Sequence, residues 1–231
     1  HLDQLDLPDT VRRQWQASGT AKAFGTDTPL HRTYSLANSP GELGSDILLN
    51  IRLALAKPDT SGVPVGIGSA YLSTLGQGDT VRLRGPFGDF HVYDDGAEIV
   101  FIGGGAGIAP IRSMIHDQLV SRSRTSKVSF WYGARTQEDI VYKEEFEHIV
   151  DTCPNFSWHV ALSHLNETYA WPGKRGWIHE IVRDQYLASH PDIAQCRFYV
   201  CGPPPMLEAV LMLLNSLGVS EERIAFDDFG N

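Results

Sequence analysis

The pattern of apolar and polar residues changes character before the middle of the chain. In the first part, short alternating runs predict β-strands at 31–37, 47–55 and 80–84, and Ala70–Leu75 is predicted as a short helix with Ser69 as its N-cap. From about residue 97 onward, apolar runs alternate with amphipathic segments of helical period. The sequence therefore predicts an antiparallel β part followed by an α/β part.

The second part alternates strands with helices. Its predicted strands lie at 98–102, 127–132, 156–162, 197–201 and 223–226. Its predicted helices lie at 110–122, 142–150, 178–188 and 205–217. Such alternation implies parallel pairing and a doubly wound sheet. We expect one domain over residues 1–95 and a second over 96–231, with the boundary near 94–96.

The best-marked stretch runs from Glu98 to Pro110, where an apolar run ends in a turn with four glycines. Four apolar residues after the turn share one helical face: Ile111, Met114, Ile115 and Leu119. Glycines let the backbone approach a bulky anion, and a helix N-terminus offers free N–H groups and the positive end of its dipole. A dinucleotide pyrophosphate is the ligand that this arrangement indicates. Pro110 stands where the Rossmann fingerprint has its third glycine, so a plain βα turn remains the alternative.

Composition narrows the class of protein. The 231 residues are 42% hydrophobic and carry a formal net charge of −9, which argues against nucleic acid or an anionic membrane surface as a partner. Three cysteines without C-x-x-C spacing argue against a disulfide framework, a zinc site or an iron–sulfur cluster built by this chain alone. Nine histidines without ligand spacing predict no metal site. No bilayer-spanning run or signal peptide is visible.

Candidate chemistry lies at the carboxyl ends of predicted strands, where open α/β sheets bind ligands. The loops there are 103–107, 132–136 and 201–206. Cys201 ends one strand and is expected to project into the cleft, while Gly202 gives the backbone room. The alternative is that Cys201 is a small buried apolar residue.

Arg32, Tyr34 and Ser35 form a second constellation. Arg32 and Tyr34 share a strand face, where an arginine can clamp a phosphate and a tyrosine ring can stack on a heterocycle. The alternative is an ordinary exposed pair. A second candidate phosphate cradle precedes the short helix: Gly66, Gly68 and Ser69.

Four motifs in order resemble the ferredoxin–NADP reductase superfamily. They are R-T-Y-S at 32–35, G-I-G-S-A-Y-L at 66–72, G-G-G-A-G-I-A-P at 103–110 and C-G-P-P-P-M at 201–206. Within it, the chain is most similar to the family of F subunits of sodium-pumping NADH:quinone reductases. That similarity includes residues 12–15, the long excursion before Arg32, W-Y-G-A-R at 131–135, Pro203 and the ending at 226–230.

The resemblance implies FAD in a partial antiparallel flavin-binding barrel. Arg32 would contact its pyrophosphate, Tyr34 its isoalloxazine and Ser35 its N5. The phosphates would be held by Gly66, Gly68 and Ser69. The family barrel has six strands, whereas three are found here, so the opening strands are expected upstream of His1.

The resemblance also implies NADH in the doubly wound nicotinamide-binding domain. The residues expected to contact it are Gly104, Gly105, Gly107, Pro110, Arg135, Cys201, Gly202 and Pro203. Cys201 would border the nicotinamide, and Phe229 would cover the flavin face, with Asp227 and Asp228 staying in water. Glu138 and Asp139 near Arg135 favour NADH over NADPH.

The function implied is hydride transfer from NADH to FAD, with Cys201, Ser35 and Phe229 as catalytic candidates. Electrons would continue to a [2Fe–2S] centre in a missing N-terminal part and then to quinone. The partners would be the other subunits of a sodium-pumping respiratory complex, on the cytoplasmic face of the bacterial inner membrane. Two alternatives are a soluble reductase feeding an oxygenase and a flavin-free nucleotide-binding docking module.

Overall fold

The protein is described here by a computed structural model that covers residues 31–52, 66–164 and 171–229. These residues belong to two compact units. The smaller unit contains residues 31–34, 51–52 and 66–87, and the larger unit contains 35–50, 88–164 and 171–229. Residues 35–50 and 88–95 thus make their contacts with the α/β part of the chain, while the domain boundary near residue 95 stays a prediction.

The larger unit is built on a parallel sheet of six strands. They are β1 Ile99–Gly104, β2 Val128–Ala134, β3 Phe156–Leu162, β4 Lys174–Arg175, β5 Arg197–Cys201 and β6 Ile224–Asp227. Their order across the sheet is β4-β3-β2-β1-β5-β6, and every neighbouring pair is parallel. The predicted parallel sheet is confirmed, and the two-residue strand β4 is an addition to it.

Five α-helices accompany the strands in the described residues. They are α1 Ile67–Leu72, α2 Ile108–Ile115, α3 Lys143–Thr152, α4 Ile178–Gln185 and α5 Pro204–Ser216. Helix α2 continues into a π-helical stretch, His116–Ser121. The four predicted helices of the α/β part are therefore confirmed to within a few residues at their ends. Within the described ranges, no helix is long and apolar enough to cross a membrane.

The core consists of two apolar layers, one on each face of the sheet. Ile99 and Phe101 pack in one layer with residues of α2 and α3, and Val100 and Ile102 pack in the other with residues of α4 and α5. Side chains of a strand alternate between faces, so a sheet covered on both sides requires continuous apolar runs. All six residues of β1 are buried for this reason.

The smaller unit differs from the predicted barrel. Its described residues contain no β-strand, and residues 35–37 of the larger unit form none either, so the predicted strands at 31–37 and 80–84 are wrong. Of the predicted strand at 47–55, residues 53–55 lie outside the described residues, and Leu49 forms only an isolated bridge with Leu36 in the larger unit. An alternating pattern indicates extended backbone, but a strand also needs a hydrogen-bonded neighbour.

Helix α1 begins earlier than predicted, with Gly66 as its N-cap. Ser69 lies inside the helix, where its Oγ donates a hydrogen bond to the Gly66 carbonyl oxygen at 3.0 Å. The prediction of Ser69 as N-cap is therefore wrong. A serine hydroxyl can bond to a carbonyl of the preceding turn, which lets it lie within a helix.

Residues 35–50 are fastened to α2 by the buried guanidinium of Arg112, which is only 6% exposed. It donates hydrogen bonds to the Ala37 carbonyl oxygen at 2.6 Å, to Glu42 Oε1 at 2.7 Å and to Glu145 Oε2 at 3.0 Å. Burial is the largest single influence on the pKa of Glu42 and would raise it, but the hydrogen bonds from Arg112 and Ser39 and the charges of Arg112 and His116 together hold that pKa below its usual value. The segment that begins at Ser35 is thereby held on the α/β part.

Candidate functional site

The order of the sheet reverses between β1 and β5. From β1 the chain builds β2, β3 and β4 on one side, and β5 and β6 lie on the other. The carboxyl ends of strands at such a switch point border a crevice, which is where open α/β sheets bind ligands. Gly103 of β1 is the register partner of Cys201 of β5. The predicted loops after these strands therefore lie side by side.

The turn after β1 is shaped by glycines. Gly105–Gly107 form a 3₁₀ turn, and Gly105 has a positive φ of 55°, which favours glycine. A Cβ on Gly107 would lie 2.1 Å from the Cys201 carbonyl oxygen, so only glycine lets the turn approach the end of β5. Gly107 is also the N-cap of α2 and brings no side chain to its free N–H groups. Pro110 is the third residue of α2, in the first turn, where its missing N–H costs little.

The loop after β5 packs against this turn. Gly202 is buried, and a Cβ there would lie 3.1 Å from the Gly104 backbone nitrogen. Pro203 is exposed and is the N-cap of α5. Two of the predicted motifs, 103–110 and 201–206, thus meet at the switch point.

Cys201 does not project into an open cleft as the sequence predicted. Its side chain is 0% exposed and packs in the apolar layer that contains Phe101 and Ile108. Burial raises the pKa of its thiol, and the charges of Asp227 and Asp228 raise it further. The thiol is therefore neutral at physiological pH and is no nucleophile.

Ser35 is brought to the same strand end by a long-range hydrogen bond. Its Oγ donates to Asp227 Oδ2 at 3.1 Å, and Asp227 is the register partner of Cys201 between β5 and β6. The expectation that Asp227 stays in water is wrong, because this carboxylate is partly buried against Ser35. Asp228 and Phe229 are exposed, Phe229 to 46%.

Tyr132, which the sequence placed in the candidate loop 132–136 without a role of its own, supports the glycine turn. Its side chain is almost fully buried at the end of β2. Its hydroxyl lies 3.3 Å from the carbonyl oxygens of both Gly105 and Asp139. The signal in the sequence was a tyrosine inside an otherwise apolar strand, because a buried phenol requires a hydrogen-bond partner.

Polar side chains surround the loop after β2. Arg135 is exposed there, and the Thr136 backbone N–H donates to Asp139 Oδ2 at 3.1 Å. Glu138 is also exposed. The loop therefore presents one cation and two carboxylates to solvent, as its sequence indicated.

In the smaller unit, the predicted Arg32, Tyr34 and Gly68 come together. A Cβ on Gly68 would lie 2.8 Å from both Arg32 Cγ and Tyr34 Oη, so glycine is needed for this contact. Burial raises the pKa of Tyr34, while the nearby charge of Arg32 lowers it in part. Arg32 is exposed, and its Nη1 donates to the His31 carbonyl oxygen at 2.7 Å. An exposed guanidinium beside a phenol and a glycine at a helix start fits a phosphate.

The part of the chain that holds the glycine turn matches a known domain family. Residues 101–211 match the oxidoreductase NAD-binding domain. The match begins within β1 and ends within α5, so the NAD-binding domain includes the glycine turn, the loop after β2 and the loop after Cys201.

Beyond the NAD-binding domain, the chain resembles the F subunit of the Na⁺-translocating NADH-quinone reductase of Klebsiella pneumoniae. The two are 46% identical over 227 residues, which is 98% of this chain and 56% of that relative. The chain thus spans about half the length of the curated relatives it matches. The resemblance predicted from the four motifs is confirmed.

Solved structures agree on the fold. The crystal structure of an Amycolatopsis cytochrome P450 reductase is 28% identical, with a TM-score of 0.70 over 88% of this chain and 57% of that one. A ferredoxin–NADP⁺ reductase from Plasmodium falciparum is 19% identical, with a TM-score of 0.69 over 87% of this chain and 77% of that one. The chain therefore has a ferredoxin-reductase-like fold.

Proposed function

We propose that this chain is the NADH-oxidising module of a sodium-pumping NADH:quinone reductase. The observation that carries the proposal is the meeting of the glycine turn and Gly202 at the switch point of the sheet, with the Ser35–Asp227 pair one strand away at the end of β6. A dinucleotide bound there would place its pyrophosphate on the turn and its nicotinamide toward the end of β5. The similarity to the Klebsiella F subunit supports the choice of NADH and of the respiratory complex.

The residues of the larger unit would bind and orient NADH. The backbone of Gly104, Gly105 and Gly107 would hold the pyrophosphate at the start of α2, with Pro110 fixing the first helical turn. Cys201, Gly202 and Pro203 would set the position of the nicotinamide, and Arg135 would contact the adenosine half. Because Cys201 is buried and neutral, its part would be steric and would involve no proton transfer.

The smaller unit would hold FAD, which supplies the hydride acceptor when it is bound. Arg32 would pair with the FAD pyrophosphate and Tyr34 would contact the ring. The start of α1 would hold the phosphates: Gly66, Gly68 and Ser69. In the larger unit, Asp227 accepts the hydrogen of Ser35 and so fixes its hydroxyl, and Phe229 would exclude water from the flavin face.

The later electron transfer and the location are proposed from the resemblance to the F subunits. Electrons would pass singly to a [2Fe–2S] centre outside this chain and then to quinone. The module would work beside other subunits at the cytoplasmic face of the bacterial inner membrane.

A soluble reductase of an oxygenase system is the second candidate. The 28% identity to a cytochrome P450 reductase favours it, since that protein shares the fold over most of this chain. The higher identity to the Klebsiella F subunit, over nearly the whole chain, gives the respiratory module precedence.

The proposed function is tested by mixing the FAD-loaded protein with NADH in a stopped-flow instrument and following the flavin absorption. We expect NADH to bleach the flavin, and Cys201→Ala to slow the bleaching at least tenfold, because small misplacements of reacting atoms are costly. The same substitution should lower the free energy of unfolding by only about 1 kcal/mol, the cost of a small buried group. Cys153→Ala, at a partly exposed thiol, is the matched control.

Equal bleaching rates in wild type and Cys201→Ala would remove Cys201 from the nicotinamide site. A protein that takes up no FAD, or one whose flavin NADH does not bleach, would contradict the proposed function itself. The former result would favour the flavin-free docking module.

Cofactor preference follows from the loop after β2. We expect a higher kcat/KM with NADH than with NADPH, because Glu138 and Asp139 would repel a 2′-phosphate more than Arg135 attracts it. Replacing both carboxylates with their amides should raise kcat/KM for NADPH and leave that for NADH nearly unchanged. A wild-type preference for NADPH would overturn this interpretation of the loop.

A further inference from the structure

Three side chains with metal-ligating atoms converge at the edge of the sheet where β1 and β5 begin. Glu98 directly precedes β1, Cys196 directly precedes β5, and His190 follows the 3₁₀ turn Leu187–Ser189. Among the described residues, they are the one group of three His, Cys, Asp or Glu whose ligating atoms all lie within 4.8 Å of one another. The adjacent parallel strands β1 and β5 place Glu98 and Cys196 side by side, since Ile99 pairs with Arg197.

The spacing of these atoms is that of ligands around one cation. His190 Nε2 lies 3.3 Å from Glu98 Oε2 and 3.8 Å from Cys196 Sγ. With the usual zinc–ligand bond lengths, a tetrahedral site separates N from O by about 3.4 Å and S from N by about 3.6 Å. Two of the three separations therefore match ligands on one ion, and the third, between Glu98 and Cys196, is within 4.8 Å.

The surroundings orient the carboxylate and leave a position open. The Tyr186 hydroxyl donates to Glu98 Oε1, and Lys127 Nζ lies 3.5 Å from the same oxygen, so Oε2 is the oxygen turned toward His190. Such outer partners commonly fix ligating carboxylates. A cavity of about 620 Å³ borders the cluster and is lined by both polar and charged groups, among them Asp95 and Asp192. Water from this cavity can complete a fourth position.

We propose that Glu98, His190 and Cys196 form a binding site for a divalent cation of borderline softness, with Zn²⁺ as the best match. A thiolate and an imidazole select against Mg²⁺ and Ca²⁺, which prefer oxygen ligands alone. On binding, the S–Zn bond replaces the S–H bond of Cys196, and the thiol proton leaves to solvent. Three protein ligands and one water give an open, exchangeable site.

Two features limit the affinity of this site. Lys127 carries a positive charge next to Glu98, and it opposes a cation. His190 Nδ1 accepts the Asp192 backbone N–H at 3.2 Å, and ligation through Nε2 moves the imidazole proton to Nδ1 and ends that bond. The site lies one strand length, roughly 20 Å, from the glycine turn, so the cation takes no part in NADH binding.

The experiment is equilibrium dialysis of the full protein, with its cofactors bound, against a series of free zinc concentrations, with bound zinc measured by elemental analysis. We expect wild type to bind one equivalent of zinc. In Cys196→Ser and in His190→Gln we expect the zinc affinity to be at least 100-fold lower, because losing a ligand costs more than the 10–100-fold loss of affinity that follows removal of an outer partner. Cys153→Ser and His148→Gln, at more exposed positions, are the matched controls and should bind as wild type does.

Lys127→Met tests the proposal without altering any of the three ligands. Its side chain is 53% exposed, so the substitution leaves the core intact. We expect it to increase zinc affinity several-fold, because it removes the opposing charge and leaves the three ligands in place. Absence of a bound equivalent in wild type, or unchanged binding in Cys196→Ser and His190→Gln, would overturn the proposal. An affinity in Lys127→Met equal to that of wild type would also contradict it.

Discussion

Gly107→Ala is expected to destabilise the larger unit by about 3 kcal/mol, the upper end for overpacking a well-packed core, and to weaken NADH binding at least tenfold. The new Cβ would lie 2.1 Å from the Cys201 carbonyl oxygen and 2.4 Å from the carbonyl carbon. Both atoms belong to the backbone of a central strand, so neither can move aside cheaply. The turn must therefore shift, and the N–H groups at the start of α2 shift with it.

Urea denaturation measures the stability, and a fluorescence titration with NADH measures the affinity under conditions where the variant stays folded. Gly76→Ala is the matched control, because a Cβ there would meet only Asp79 Oδ2, at 3.8 Å. A stable Gly107→Ala protein with wild-type NADH affinity would show that the glycine turn does not hold the dinucleotide.

Arg32→Ala is expected to weaken FAD retention ten- to a hundredfold. A charge-assisted contact contributes about 1.5–3 kcal/mol, and about 1.4 kcal/mol corresponds to a factor of ten. The exposed guanidinium lies beside Tyr34 and Gly68, and the N–H groups not used by the His31 carbonyl oxygen can pair with a phosphate there. The measurement is the dissociation constant of FAD, obtained from the absorption of flavin that remains bound at equilibrium.

Arg82→Ala is the control for a general loss of positive charge, because Arg82 is an exposed arginine of the same unit. Arg32→Lys should recover only part of the affinity, since an ammonium cannot bind a phosphate with two parallel hydrogen bonds. If Arg32→Ala retains FAD through dialysis as well as wild type does, Arg32 is not a pyrophosphate contact.

Much of the α/β part of the fold could be predicted from the sequence because its central strands, β1 and β2, are buried on both faces. The predicted bounds of 156–162 and 197–201 coincide with β3 and β5. Continuous apolar runs between turn residues identify such strands without knowledge of their neighbours. Strand β4 was missed because its two residues, Lys174 and Arg175, carry no pattern at all.

For the β part, the sequence predicted only the local backbone conformation. Residues 31–37 alternate in polarity as a strand does, yet the ladder partners that define a strand are set by residues distant in sequence. The same residues still bring Arg32 and Tyr34 to Gly68, as the paired motifs indicated. For these residues, the motifs therefore predicted more of the structure than the alternation of polar and apolar residues did.

Two features of the larger unit depended on contacts that no local pattern reveals. Ser35 and Asp227 meet across 192 positions, and His190 and Glu98 across 92. A search for close spacing of cysteines and histidines therefore predicted no metal site, whereas the adjacent starts of β1 and β5 assemble a ligand set from separate segments. The topology of the sheet accounts for the placement of Glu98 beside Cys196.

The burial of Arg112 affects which fragments of this chain can be stable on their own. The chain passes from one unit to the other after Tyr34, after Asn50 and after Phe87, so neither unit is a single continuous stretch. A fragment that begins at residue 88 would keep the guanidinium but lose Ala37 and Glu42, which accept two of its hydrogen bonds. Glu145 would remain as a partner of the guanidinium, but the two lost acceptors would leave hydrogen bonds unmade. Residues 35–50, or an apolar residue in place of Arg112, are therefore expected to stabilise the NAD-binding part when it is expressed alone.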